Sequence, residues 1–298
     1  MKILVTGATG YIGSVVCELL QKAGHQVVGL ARTEERAALL ESRGYLAVRG
    51  SLGDTAGLHT AAESADGVIH AAMEFGPGAG ATDRAAVATF IEALAGSGRA
   101  LIYSSGVWVM GNTKGQLKGE VSALAPPPMV AWRPAVEDLV LEAKERVVKG
   151  VVLRPGTVFG RKGGRVAGMF QDARTMGAVR IVGDGENHWS TVHVDDLADL
   201  YVRAVTNPAA GELFIACGGM PQPVGKIARA VAKACGLDGK AGSVELTPVE
   251  TARGQMGPLA DCLAMDCKAG STKAARYFGW TVRKPSIFDE IFTGSYLS

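Results

Sequence analysis

Three glycines near the start of the 298-residue chain have the spacing that phosphate chemistry needs. Gly7, Gly10 and Gly13 fall in Thr6-Gly7-Ala8-Thr9-Gly10-Tyr11-Ile12-Gly13, a G-x-x-G-x-x-G pattern. At a strand-to-helix junction each has a separate job. The first permits the tight turn, the second lets a pyrophosphate lie against bare backbone, and the third lets helix pack closely on strand. The helix that opens there offers unpaired N–H groups and a partial positive charge to a phosphate. A glycine triplet alone is a weak signal; between a strand and a helix at the head of a βαβ pattern it is a strong one.

The flanking segments have that form. Ile3 to Val5 reads as a buried strand, and Val15, Val16, Leu19, Leu20 and Ala23 share one face of a helix over Tyr11 to Ala23, with Gly24 suited to its C-terminal cap. A second strand, Gln26 to Ala31, ends at Arg32. An acidic residue there would hydrogen-bond the adenosine ribose of NAD, whereas an arginine accommodates the 2′-phosphate of NADP. NADP is therefore the expected cofactor, with NAD as the other possibility and a solvated Arg32 as the simpler reading. Thr33 and Asp54 suit helix N-caps, and Leu46–Arg49, Val68–Ala72, Ala100–Tyr103 and Val151–Arg154 read as further strands. Glu74 to Ala81 reads as a mobile glycine-rich loop, Asp83 as the cap of a helix to about Leu94, and Ala135 to about Val148 as another helix.

Composition narrows the class. A net charge of +2 argues against nucleic acid and membrane surfaces as partners. The five cysteines are an odd count without C-x-x-C pairs, which suits free thiols in a reducing cytosol and no metal site. No apolar run would span a bilayer, and the first strand begins at Lys2, so a cytoplasmic location is expected.

The segment Thr6 to Gly13 resembles the nucleotide-binding signature of the extended short-chain dehydrogenase/reductase family, the NAD-dependent epimerase/dehydratase group. Trp189-Ser190-Thr191-Val192-His193-Val194-Asp195-Asp196-Leu197-Ala198 is similar to that family's W-x-x-V-H-V-D-D-L-A, and Arg154-Pro155-Gly156-Thr157-Val158-Phe159-Gly160 to its R-P-x-x-V-Y-G. Ala275 to Thr281 resembles its closing L-G-W-x-P, so the likeness runs nearly the whole chain. It implies a Rossmann-type doubly wound parallel sheet over residues 1–155, with a return segment at about 189–215, and a smaller discontinuous substrate lobe from 156–188 and 216–298. It also implies cofactor contacts from Gly7, Thr9, Gly10, Tyr11, Ile12, Ser51, Leu52, Ala71, Ala72, Pro155 and Val158. The family's G-D-L-x-D turn has Ser51 here in place of the adenine-binding aspartate. His70 and His193 occupy family strand positions and read as architectural, and Asp195 as a helix cap.

The family's catalytic residues are a serine or threonine after the fifth strand and a Y-x-x-x-K pair. The tyrosine moves a proton on the substrate oxygen, and the lysine lowers its pKa and holds the nicotinamide ribose. Aligning Ser104 to Gly111 with S-S-S-x-x-V-Y-G puts Gly106 at the hydroxyl position, with Ser105 adjacent. Taking Glu137 as the family's glutamate puts Met129 at the tyrosine position and Arg133 at the lysine position. A methionine carries no proton, whereas an arginine keeps the charge and can still hold ribose hydroxyls. Arg161, Lys162 and Arg165 make the stretch Gly160–Val166 a basic loop able to meet a phosphate, or merely a solvated one. Two functions follow: an NADP-dependent reductase or epimerase acting on a small molecule with a non-standard proton donor, Ser105 and Arg133 at its centre, or a non-catalytic NADP(H) sensor. A homodimer is implied by the resemblance.

Overall fold

The computed structural model describes residues 1–74 and 76–297; Phe75 and Ser298 lie outside them. From the N-terminus, β1 (Lys2–Thr6), α1 (Tyr11–Lys22), β2 (Gln26–Ala31), α2 (Glu34–Glu41), β3 (Leu46–Arg49), α3 (Thr55–Glu63), β4 (Gly67–His70), α4 (Ala79–Leu94) and β5 (Ala100–Ser104) alternate strictly. Then come α5 (Arg133–Glu142), β6 (Lys149–Pro155), β7 (Thr157–Gly160), α6 (Gly164–Met176), β8 (Val179–Val182), β9 (His188–Trp189), β10 (Thr191–His193), α7 (Val194–Thr206) and β11 (Glu212–Ala216). The chain closes with β12 (Gln222–Pro223), α8 (Val224–Ala234), β13 (Val244–Thr247), α9 (Val249–Met256), α10 (Leu259–Ala264), α11 (Lys273–Phe278) and α12 (Ile287–Thr293).

Seven strands form one parallel sheet in the order β11-β6-β5-β4-β1-β2-β3. Alternation along each strand loads both faces, as a doubly covered parallel sheet requires. Ile3 and Val5 meet Val16 and Leu20 of α1 and Leu200 and Tyr201 of α7, whereas Leu4 belongs with Leu58 of α3, Phe90 of α4 and Val140 of α5. Strand order reverses at β1, between β2 and β4, and the crevice beyond the carboxyl ends of β1 and β4 is where an open α/β sheet binds its ligand. A further core, with Phe170, Trp189, Ile227, Val231 and Ile291, joins α6, α8 and α12 outside the sheet. No helix among the described residues is long and apolar enough to cross a membrane.

Thr33 and Asp54 cap α2 and α3 as their positions predict. Four expectations need correction. Asp83 does not start its helix: α4 begins at Ala79, and Asp83 is buried one turn in, where its carboxylate serves His70 and Tyr103. Gly160–Val166 is not all loop, because α6 starts at Gly164 and buries Val166, Met169, Phe170 and Ala173. The cap of α7 is His193, whose Nδ1 accepts from the Asp195 N–H, while Asp195 pairs with Arg161. The helix expected to about Val148 breaks at Glu142 into a tighter turn, Ala143–Arg146, that ends on left-handed Val147.

Candidate active site

The glycine turn is built by backbone crowding. Gly7 has φ +72°, and a Cβ on it would stand 2.9 Å from the Ala71 and Ala72 backbone. A Cβ on Gly13 would stand 2.1 Å from the Gly7 carbonyl oxygen, so α1 packs on the turn only without one. At Gly10 a Cβ would meet the Gly7 carbonyl oxygen at 3.1 Å and nothing else within 4 Å. Gly10 is the N-cap of α1 and provides no side-chain cap, so the first N–H groups of the helix keep their donors for an outside acceptor. A bare cradle with free donors fits a dinucleotide pyrophosphate.

The strand ends around this turn are tied together. Thr6 Oγ1 accepts from the Ala72 N–H at 3.2 Å and lies 2.6 Å from His70 Nδ1. His70 Nε2 lies 3.1 Å from Asp83 Oδ1, and the Tyr103 hydroxyl donates to Asp83 Oδ2 at 2.8 Å. Asp83 is only 3 % exposed, and its carboxylate oxygens accept from two different strands. This buried chain fastens α4 beneath the ends of β1, β4 and β5. Past β2, Arg32 is exposed and makes no hydrogen bond or ion pair among the described residues, whereas nearby Arg49 pairs with Glu34. Ser51 is half-buried beside buried Leu52.

A cavity of about 1030 Å³ opens beyond the ends of β5 and β6. It gathers Tyr11, Ile12, Ser105, Gly106, Met129 and Arg133, with Pro155 and Val158 on the same wall. Gly7, Thr9, Gly10, Arg32, Ser51, Leu52, Ala71 and Ala72 do not line it; they follow the turn and the strand ends.

Ser105 Oγ is buried and has no hydrogen-bond partner among the described residues, although the residue's own N–H is held at 2.8 Å by the Leu153 carbonyl. A buried hydroxyl without a partner is costly unless a ligand completes it. Gly106 is extended, at φ 176°, and a Cβ there would meet only the Pro155 carbonyl oxygen, at 3.9 Å. Met129, in the short turn Pro128–Val130, puts its Sδ 3.9 Å from Cys262 Sγ. Arg133, 7 % exposed, donates from Nη1 to the Ser104 carbonyl at 2.6 Å and from Nη2 to Met73 Sδ at 2.8 Å. Its guanidinium lies 4.8 Å from the centre of the Trp132 ring. The sulfur is a weak acceptor, so Nη2 is the arm open to a better partner.

The tyrosine hydroxyls near the cavity are engaged within the fold. Tyr11 lines the cavity, but its hydroxyl donates to the Gly160 carbonyl at 2.7 Å and burial pushes its pKa far up. Burial raises Tyr103 as well, against the lowering effect of Arg133. Tyr201, its hydroxyl 2.5 Å from Ser104 Oγ, is pushed up to about 12 by burial. His70 and His193 do not line the cavity. Sequence reasoning missed Asp83 and Tyr103 as partners; the one available signal was an acidic residue on the apolar face that also carries Val87 and Phe90.

The family model of the NAD dependent epimerase/dehydratase family matches residues 3–216. The chain is 32% identical over 304 residues to an uncharacterized protein of Schizosaccharomyces pombe, covering 99% of this chain and 100% of that one. It is 28% identical over 257 residues to the 2-alkyl-3-oxoalkanoate reductase of Stenotrophomonas maltophilia, covering 79% and 76%. In three dimensions it is similar to the dTDP-glucose 4,6-dehydratase of Bacillus anthracis solved in complex with NAD, with a TM-score of 0.82 at 17% identity over 99% of this chain and 95% of that one. At that identity the likeness concerns the fold alone.

Proposed function

Because the chain belongs to the NAD dependent epimerase/dehydratase family, we propose that it is an NADP(H)-dependent reductase of a carbonyl on a small molecule. The observation that carries this reading is the partnerless, buried Ser105 hydroxyl on a cavity wall next to the glycine turn. A relative of similar sequence is named as a reductase of an oxoalkanoate. The same reading takes residues 156–188 and 216–298 as the substrate-binding part. All five cysteines are free, which agrees with a cytoplasmic enzyme.

A nicotinamide dinucleotide held along the strand ends would supply the hydride. Gly10 and the first N–H groups of α1 receive its pyrophosphate, and the unpaired Arg32 guanidinium pairs with a 2′-phosphate. Arg133, whose Nη1 is anchored on the Ser104 carbonyl and whose Nη2 has only the weak acceptor Met73 Sδ, would hold the ribose hydroxyls. Ser105 donates its hydroxyl hydrogen to the substrate carbonyl oxygen and orients it. With Met129 unable to carry a proton, the proton arrives at that oxygen from Ser105, from water or from a group of the substrate.

Titrating the protein with NADPH and with NADH, read by tryptophan fluorescence, tests the cofactor assignment, since Trp108 and Trp132 line the cavity. NADPH is expected to bind about tenfold or more tighter, the scale of a charged hydrogen bond, and Arg32→Glu to remove that preference. Equal loss of both cofactors in Arg32→Glu would show that another residue reads the phosphate. A second reading, a non-catalytic NADP(H) sensor, is favoured by Met129 and Gly106, which leave the two family hydroxyl positions empty. Turnover by the pure protein that disappears in Gly10→Val excludes it.

A further inference from the structure

Of the three cations in Gly160–Val166, two stand outside the cavity. Arg161 pairs with Glu18 and Asp195, and Lys162 is an exposed residue whose N–H is held by Ser295 Oγ. Arg165, in the first turn of α6, lines the cavity and stands exposed at its rim. Among the described residues it makes no hydrogen bond or ion pair. The same cavity is lined by the apolar Met129, Val130, Met256, Pro258 and Leu259.

The charges of the cavity do not balance. Its charged side chains among the described residues are Arg133, Arg165 and Glu74, and Glu74 pairs with neither arginine. Arg133 is held by the Ser104 carbonyl, so Arg165 is the cation with nothing to hold. An arginine at a cavity rim with no carboxylate partner among the described residues is free to pair with an anion from outside. One free cation among methionine, proline and leucine matches a single anionic group on an apolar body. A sugar diphosphate would bring a second phosphate and several hydroxyls to walls with few polar partners for them.

We propose that Arg165 is the specificity-determining residue of this cavity, and that the substrate is an oxo acid: an apolar carbonyl compound whose carboxylate pairs with the Arg165 guanidinium. The carbonyl half of this statement rests on the reductase reading above; the anion subsite does not.

The test uses the full chain with NADPH bound and separates binding from turnover. Octanoate and its methyl ester are titrated by tryptophan fluorescence, and reduction of an α-oxo acid and its methyl ester is followed by NADPH oxidation. The wild-type protein is expected to prefer each acid over its ester. Arg165→Met should collapse that preference by about tenfold or more, and Arg165→Lys should keep part of it. Lys162→Met, which removes a neighbouring charge outside the cavity, should leave the acid-to-ester ratio where it was. An unchanged ratio in Arg165→Met, or a loss that falls on NADPH affinity instead, overturns the proposal. Arg165-dependent binding of octanoate without reduction of any oxo acid sinks the reductase reading and leaves the subsite standing. Reduction that ignores Arg165 does the reverse.

Discussion

At the scale of single residues, the resemblance puts Gly106 and Met129 where the family carries hydroxyls, and restoring a hydroxyl at each position tests that register. Gly106 has extended backbone that any residue adopts, and its missing Cβ points into space bounded only by the Pro155 carbonyl oxygen. Gly106→Ser should therefore fold with stability within about 0.5 kcal/mol of the parent. Met129 is half-buried on the cavity wall, and Met129→Tyr places a titratable hydroxyl there. The two together are expected to raise kcat for ketone reduction by roughly a hundredfold, the low end of what a positioned acid contributes. Steady-state kinetics at saturating NADPH decide it; a pair of well-folded variants no faster than the parent would mean that proton supply is not what these positions limit.

At the scale of elements, α7 hangs on an imidazole. His193 Nδ1 must be unprotonated to accept the Asp195 N–H at 3.2 Å. Burial holds its pKa below the ordinary 6.5, against the opposing pull of Asp195, Glu290 and Asp196. A base whose folded pKa is depressed binds its proton less readily folded than unfolded. Its stability contribution is complete above about pH 6.5 and is lost as pH falls through the folded value. The melting temperature should therefore drop between pH 7 and pH 5. His193→Asn, a cap that accepts without titrating, should flatten that part of the profile, and a thermal melt series reads it directly. A slope that survives the substitution would assign the acid sensitivity to another group.

At the scale of the molecule, the outward faces of α4 and α5 are the surfaces through which we propose that two copies pair, following the family pattern. Ala85, Ala88 and Asp138 are exposed there, while Val87 and Val136 face the sheet. Light scattering at micromolar concentration is expected to give twice the 30.9 kDa chain mass, and Ala88→Arg to return it to a monomer. A parent that already scatters as a monomer removes the dimer from the account.

The amino-acid sequence by itself determined whatever depends on neighbours a few residues apart. The G-x-x-G-x-x-G turn, the caps at Thr33 and Asp54 and the strand apolar runs are all local patterns, because turn sterics and capping act within one turn of chain. Tertiary structure decided the rest. Asp83 looked like a cap until β4 and β5 brought His70 and Tyr103 to its two oxygens. Arg161 and Arg165 stand close together in one basic stretch, and only the fold sends the first to Glu18, far back in α1, and puts the second in the first turn of α6, lining the cavity without a partner among the described residues. Charge and hydrogen-bond roles of this kind depend on which distant groups desolvate and face a side chain, and no local spacing encodes that.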